Sequence, residues 1–261
     1  MPYASVDRSN IFYEARPHPP IRDRFDLVMI HGSGAWHFVW EEQLANLADT
    51  ANLYALDLPG HGNSGRYGEE SVSAYAECVQ GFVQSLSLEK VVLCGNSLGG
   101  AVVIELCIRY PLLAKGVILI GTGARLRVMP EILSLLEDDP EAFEEMLSRY
   151  AFSPKTPEDI VESYFEKARN VPVDVTIGDF KACDTFDRMK EVSQIKAPSL
   201  VVVGEDDKLT PVKYARYLKE NIPDASLIVV PECGHLVMME KPALLNKYIK
   251  EFLSRLSCRE K

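Results

Sequence analysis

The sequence predicts an α/β fold: a doubly wound, mostly parallel central sheet with a helical lid inserted into it. Three observations carry the prediction. Short apolar runs alternate with helix-length segments from residue 26 to the end of the chain. Most of those runs are unbroken, with no apolar–polar alternation, which is how strands covered on both faces read. One long stretch, residues 127–190, contains no convincing strand.

In chain order, residues 3–7 and 11–16 predict an opening hairpin at one edge of the sheet. The run DLVMIH (26–31) predicts a strand, and residues 36–49 a helix. ANLYAL (51–56) is the next strand. Residues 72–86 predict a helix with Ser71 as its N-cap. KVVLC (90–94) leads into a helix over 98–110 that Pro111 stops, and GVILI (116–120) follows. Within 127–190, Asp139-Pro140-Glu141 and Thr156-Pro157-Glu158-Asp159 each read as a capped helix start. Apolar residues such as Phe143, Leu147, Phe152 and Phe165 pack this insertion onto the body, with a few left to line a pocket. SLVVV (199–203), a helix over 212–221 after Pro211, SLIVV (226–230) and a helix over 242–256 complete the pattern. The expected organisation is a core domain of residues 1–126 and 191–261 and a cap of residues 127–190.

Composition narrows the partners. The 261 residues suit one large domain, and 28 basic against 38 acidic residues leave a net charge of −10. Such a surface repels nucleic acid and anionic membranes. The first ten residues lack a basic start followed by an apolar core, and no apolar run has spanning length, so neither export nor membrane insertion is expected. The expectation is a cytoplasmic protein, monomer or homodimer, acting on a small molecule. The six cysteines include no C-x-x-C pair and no zinc spacing, and read as free packing thiols. Cys94 and Cys233 lie next to the motifs below, so thiol reagents are expected to disturb them.

The chemistry is concentrated in four loops that follow strands. Gly95-Asn96-Ser97-Leu98-Gly99 joins an apolar run to a helix, the arrangement of a nucleophile elbow. Glycines let the chain reverse tightly, and the helix turns its positive end toward developing negative charge. A serine nucleophile needs a base. Of the five histidines, His18 lies among prolines, His31 ends a strand, His37 starts a helix and His61 sits in a turn. His235 alone occupies a loop between a late strand and the last helix, where such sheets present chemistry. The base needs an orienting acid, and Glu205, Asp206 and Asp207 all follow SLVVV. His31-Gly32-Ser33-Gly34 offers backbone N–H groups for an oxyanion, with the Leu98 N–H as a second donor.

HGSGAW (31–36), LDLPGHGNSG (56–65), GNSLGG (95–100), GEDDKLTP (204–211) and CGHLVMMEKP (233–242) resemble the successive signatures of the α/β-hydrolase family. The resemblance implies Ser97, Asp207 and His235 as catalytic residues and the N–H groups of Ser33 and Leu98 as the oxyanion hole. Dehalogenase and epoxide-hydrolase relatives carry aspartate where this chain has Ser97. HGSG and GNSLGG resemble the carbon–carbon bond hydrolases of aromatic-ring degradation. Those relatives usually place a tryptophan soon after the histidine, where this chain has Leu236-Val237-Met238-Met239. HGSGAWHFVW is similar to the plant methyl-esterase and hydroxynitrile-lyase branch, and enol-lactonases are similar in length and lid position.

The expected activity is ester hydrolysis by a Ser-His-Asp triad through an acyl-enzyme, on an apolar ester or related carbonyl substrate, with no metal or organic cofactor called for. Cleavage of a carbon–carbon bond in a ring-fission product, or of an enol-lactone, is the alternative on the same fold. A hydrolase-derived binding protein is a third class, but a binder has no need of all three catalytic residues.

Overall fold

The computed structural model describes residues 2–6, 9–65 and 67–259. Asp7 of the expected hairpin, and Met1, Glu260 and Lys261 at the ends of the expected core domain, lie outside the described residues. The hairpin is β1 (Tyr3–Val6) and β2 (Ser9–Arg16). It leads to β3 (Asp26–Ile30), α1 (Glu41–Asn46), β4 (Asn52–Leu56), α2 (Val72–Ser85), β5 (Val91–Asn96), α3 (Leu98–Arg109) and β6 (Gly116–Ile120). Four helices follow: α4 (Pro130–Asp138), α5 (Pro140–Ala151), α6 (Glu158–Ala168) and α7 (Val173–Thr185). The chain then returns to β7 (Ser199–Gly204), α8 (Val212–Asn221), β8 (Ala225–Val230), α9 (Val237–Glu240) and α10 (Pro242–Arg259).

The eight strands form one sheet in the order β1-β2-β4-β3-β5-β6-β7-β8. The first two pairings are antiparallel, and every pairing from β4 to β8 is parallel. The unbroken apolar runs have their physical cause here. Val28, Leu93, Val117 and Val201 face one buried layer with α2, α3 and α8. Their neighbours Leu27, Val92, Ile118 and Leu200 face the other with α1 and α10. A strand sandwiched between two helical layers has no polar face to show. The six parallel strands end on the same edge, and the loops leaving β3, β5, β7 and β8 carry the predicted site residues.

Three local expectations change. SLIVV was expected to be covered on both faces, but β8 is the last strand of the sheet, and Val229 is 38% exposed. The helix expected over 36–49 opens as a 3-10 turn, His37–Trp40, and α1 stops at Asn46. Leu47 is fully buried, and its carbonyl accepts from the N–H groups of Thr50 and Ala51, which turns the chain into β4. Ser71 and Asp139 do cap α2 and α5, accepting from Ala74 and Ala142 N–H. Thr156 does not cap α6: its hydroxyl donates instead to Glu240, far along the chain. Among the described residues, no helix is long and apolar enough to cross a membrane.

Candidate active site

Ser97 joins β5 to α3 with φ 53° and ψ −117°, a conformation L-residues rarely hold. Its neighbours explain how the turn closes. A Cβ on Gly95 would stand 2.2 Å from the Gly99 carbonyl oxygen, and one on Gly99 would stand 2.3 Å from that of Ile30. Both glycines serve close backbone approach. The turn is pinned by the Ser97 N–H donating to Ile120 O at 3.0 Å, and by the Thr122 hydroxyl donating to Ser97 O at 2.9 Å. Leu98 follows as the first residue of α3, where a helix has no internal acceptor for the N–H.

His235 and Asp207 meet as their loops leave β8 and β7. His235 Nδ1 lies 2.8 Å from Asp207 Oδ2, and both residues are buried. Asp207 is saturated with donors: Leu209 N–H at 2.9 Å and Thr210 N–H at 2.8 Å on one oxygen, and the Thr210 hydroxyl at 2.7 Å on the other. A carboxylate so held accepts from Nδ1–H, so in the neutral imidazole Nε2 is the nitrogen without a hydrogen. The other two candidate acids go elsewhere. Asp206 accepts from the Ser153 hydroxyl at 2.6 Å, and Glu205 is exposed. Ser97, His235, Ser33 and Asn96 line one small cavity of about 40 Å³. Tyr164, Leu147, Ser33 and Phe180 also line an adjoining apolar chamber of about 150 Å³ under α5, α6 and α7. At the rim of that chamber, Arg169 donates to Glu144 through two nitrogens, at 2.8 and 2.6 Å.

The other histidines are accounted for. His18 is exposed. His37 Nδ1 lies 2.7 Å from buried Asp57. His31 points Nδ1 at Gly32 O (2.8 Å) and accepts the Leu58 N–H on Nε2 (3.0 Å), so it is neutral. Burial, then the neighbouring His61, hold its pKa well below the usual imidazole value. His61 is also fully buried, yet both of its nitrogens face acceptors: Pro59 O at 3.0 Å and Asp179 Oδ2 at 2.8 Å. Burial opposes a charge there. The Asp179 carboxylate, with help from Pro59 and Asp57, overcomes it and raises the pKa.

Three polar residues matter that the motifs did not reveal. Glu240 is buried and accepts from Gly234 N–H at 2.9 Å, Leu236 N–H at 3.1 Å and Ser153 N–H at 3.0 Å, as well as from the Thr156 hydroxyl. Asn96 donates to His235 O and Ile120 O, both at 3.3 Å, and so ties the serine turn to the histidine loop. Asp179 of α7 accepts from Gly34 N–H at 2.9 Å and from the Tyr75 hydroxyl at 2.6 Å. None of the six cysteines is in a disulfide. Cys94 and Cys233 are fully buried and burial pushes both thiols up, so the expected sensitivity to thiol reagents has no reactive thiolate behind it. Among the described residues, no group of His, Cys, Asp and Glu gathers as a metal-binding cluster.

Residues 27–247 match the Alpha/beta hydrolase family. The chain belongs to that family. A solved thermophilic esterase is 36% identical, with 97% of each chain covered and a TM-score of 0.83. A 2-hydroxy-6-oxo-6-phenylhexa-2,4-dienoate hydrolase of Burkholderia cepacia is 27% identical over 87% of this chain and 87% of its own. The enol-lactonase of Burkholderia xenovorans superposes with a TM-score of 0.89 at 21% identity, over 97% of this chain and 100% of that one, a likeness of fold. This α/β hydrolase therefore has relatives of more than one specificity.

Proposed function

We propose that this α/β hydrolase is a serine esterase in which Ser97, His235 and Asp207 cleave carboxylic esters through an acyl-enzyme. The observation that carries the reading is the 2.8 Å contact of His235 Nδ1 with a fully hydrogen-bonded Asp207, on the same small cavity as Ser97 and Ser33. With Nδ1–H committed to Asp207, Nε2 is the free base. Ser97 Oγ attacks the ester carbonyl carbon as its proton passes to Nε2. The carbonyl π pair moves onto oxygen, and that oxyanion takes hydrogen bonds from the N–H groups of Ser33 and Leu98. As the carbonyl re-forms, the alcohol oxygen leaves with the proton from Nε2. Water repeats the sequence: Nε2 takes its proton, the acid is released, and Ser97 recovers its hydrogen.

The insertion, residues 127–190, acts as the lid, and its apolar chamber takes the apolar part of the substrate. The 36% identical thermophilic esterase supports the ester reading. The relative from Burkholderia cepacia keeps a second reading open, cleavage of a carbon–carbon bond in a ring-fission dienone. Beside His235 this chain presents Leu236 to the cavity; the tryptophan that ring-fission relatives usually carry nearby is absent here.

The test uses p-nitrophenyl esters of graded acyl length, a ring-fission dienone and a fluorophosphonate probe. Wild-type protein is expected to turn over the esters faster than the dienone and to label at Ser97, and Ser97→Ala to lose both turnover and label. Retained ester turnover in Ser97→Ala overturns the assignment of the nucleophile, and faster dienone turnover favours the second reading.

A further inference from the structure

Helix α7 turns one face to the loop that follows β3. Thr176, Asp179, Phe180 and Cys183 are spaced three or four residues apart, so they share that face. A Cβ on Gly34, whose φ is +64°, would stand 3.1 Å from Thr176 Cγ2. Asp179 Oδ2 accepts the Gly34 N–H at 2.9 Å. Phe180 lines the cavity beside Ser33, and Cys183 Sγ lies 3.6 Å from Ser33 Oγ. The loop is therefore seated on the insertion as much as on the sheet.

The seat is electrostatic at its centre. Asp179 is fully buried and receives three hydrogen bonds, from Gly34, His61 and Tyr75. Gly34 N–H and His61 Nε2 meet one of its oxygens and the Tyr75 hydroxyl meets the other, so both oxygens act as acceptors. His61 faces acceptors on both nitrogens, so it carries two protons and a positive charge. Around it stand Asp179 from α7, Asp57 after β4, and Tyr75 of α2. The ring of neutral His31, after β3, lies 4.8 Å away. A buried carboxylate with its counter-charge in place is rigid, because loss of either member leaves the other unpaired in low dielectric.

We propose that Asp179, paired with His61, is a positioning residue that sets the Gly32–Gly34 turn so that the Ser33 N–H meets the developing oxyanion. The insertion and the oxyanion hole then form one unit, and a displacement of α7 degrades catalysis directly as well as changing the shape of the pocket. The inference rests on the ester-hydrolysis reading for the role of Ser33; the ion pair itself does not. His61 has a raised pKa, so the pair is intact below the ordinary imidazole value and is lost as pH rises through the raised one. An alkaline fall in kcat follows.

Asp179→Asn, close in shape, is the direct test. Its kcat on p-nitrophenyl acetate is expected to fall about 100-fold, the scale of a lost oxyanion donor, with KM moving less than about threefold. A folded variant with unchanged kcat, or with an effect confined to KM, overturns the proposal. His61→Gln is expected to lower kcat and abolish the alkaline fall; a fall that persists overturns it. Imidazole proton NMR on the wild-type protein needs no variant to fold. Two slowly exchanging N–H protons on His61 at pH 7 are expected, and one alone overturns the ion pair. Failure of the ester reading shows separately, as dienone turnover faster than ester turnover, and failure of the nucleophile assignment as ester turnover that survives Ser97→Ala.

Discussion

The carboxylate of Glu240 holds His235 from both sides. It accepts the N–H of Gly234 at 2.9 Å and the N–H of Leu236 at 3.1 Å, while reaching across to Ser153 and Thr156 between α5 and α6. The peptide groups flanking the proposed base are thus fixed by a residue that touches neither Ser97 nor Asp207 in any hydrogen bond among the described residues.

Glu240→Ala leaves those donors buried without an acceptor. At about 1–3 kcal/mol for each unsatisfied buried group, partly relieved by water, a loss of about 3–5 kcal/mol is expected in urea unfolding. Glu240→Gln keeps an oxygen for the three donors on Oε2 and turns its amide toward Leu236 N–H, so about half that loss is expected. In both variants kcat falls more than KM rises, because a loosened His235 harms proton transfer before it harms binding.

Ser97 holds φ 53° at the end of β5, a strain that glycine does not feel. Ser97→Gly is expected to abolish turnover yet raise thermal stability, by about 1–2 kcal/mol once the greater freedom of the unfolded glycine chain is set against the relieved strain. Gly95→Ala is expected to do the opposite, since its Cβ would stand 2.2 Å from a backbone oxygen, and to lose more than about 3 kcal/mol. A differential scanning calorimetry series on the two variants and wild type checks both signs. A Ser97→Gly protein that melts below wild type refutes the strain argument.

Legibility in the sequence follows contact range. The strands at 26–31, 90–94 and 116–120 were readable because burial on both faces leaves an unbroken apolar run in the local sequence. The loops that carry Ser97, His235 and the three candidate acids were readable because each follows a strand, while the choice of Asp207 among the acids came only from the family resemblance. Glu240 and Asp179 were not. Glu240 meets Ser153 across 87 residues, and Asp179 meets Gly34 across 145 and His61 across 118. Nothing within a local window marks Asp179 as buried when its donors come from other layers, and Glu240 is half such a case, with Gly234 and Leu236 local but Ser153 and Thr156 far along the chain. The same blindness misread β8: sheet order decides which strand is the edge, and SLIVV carries no local sign of its place.

Glu105 of α3 is 2% exposed and accepts from Arg188 Nε at 2.7 Å and from the Ser73 hydroxyl at 2.8 Å. Burial opposes its charge, but the hydrogen bonds from Arg188 and Ser73 and the Arg188 charge outweigh that and lower its pKa. A lowered pKa means the stabilisation is complete above the ordinary carboxylate value and is lost as pH falls through the folded one. Glu105→Gln is therefore expected to reduce stability at pH 7 and to flatten the acid limb of stability against pH. Urea midpoints between pH 3 and 7 decide it; parallel curves for variant and wild type refute it.

Phe143 lines the apolar chamber of about 150 Å³ and stands 6.2 Å, edge to face, from Phe180, but it is not among the residues lining the small cavity at Ser97. Truncating it enlarges the chamber without touching the residues proposed for chemistry. If the chamber takes the acyl chain, Phe143→Ala shifts the preference toward longer acyl esters: kcat/KM on p-nitrophenyl decanoate rises relative to the acetate by about tenfold, and the acetate value stays near wild type. The lost packing lowers stability by about 3 kcal/mol. If the alcohol occupies the chamber, the acyl series stays flat and the shift appears across esters of one acid with longer alcohols. The paired series therefore also fixes the direction in which the ester lies between Ser97 and α5.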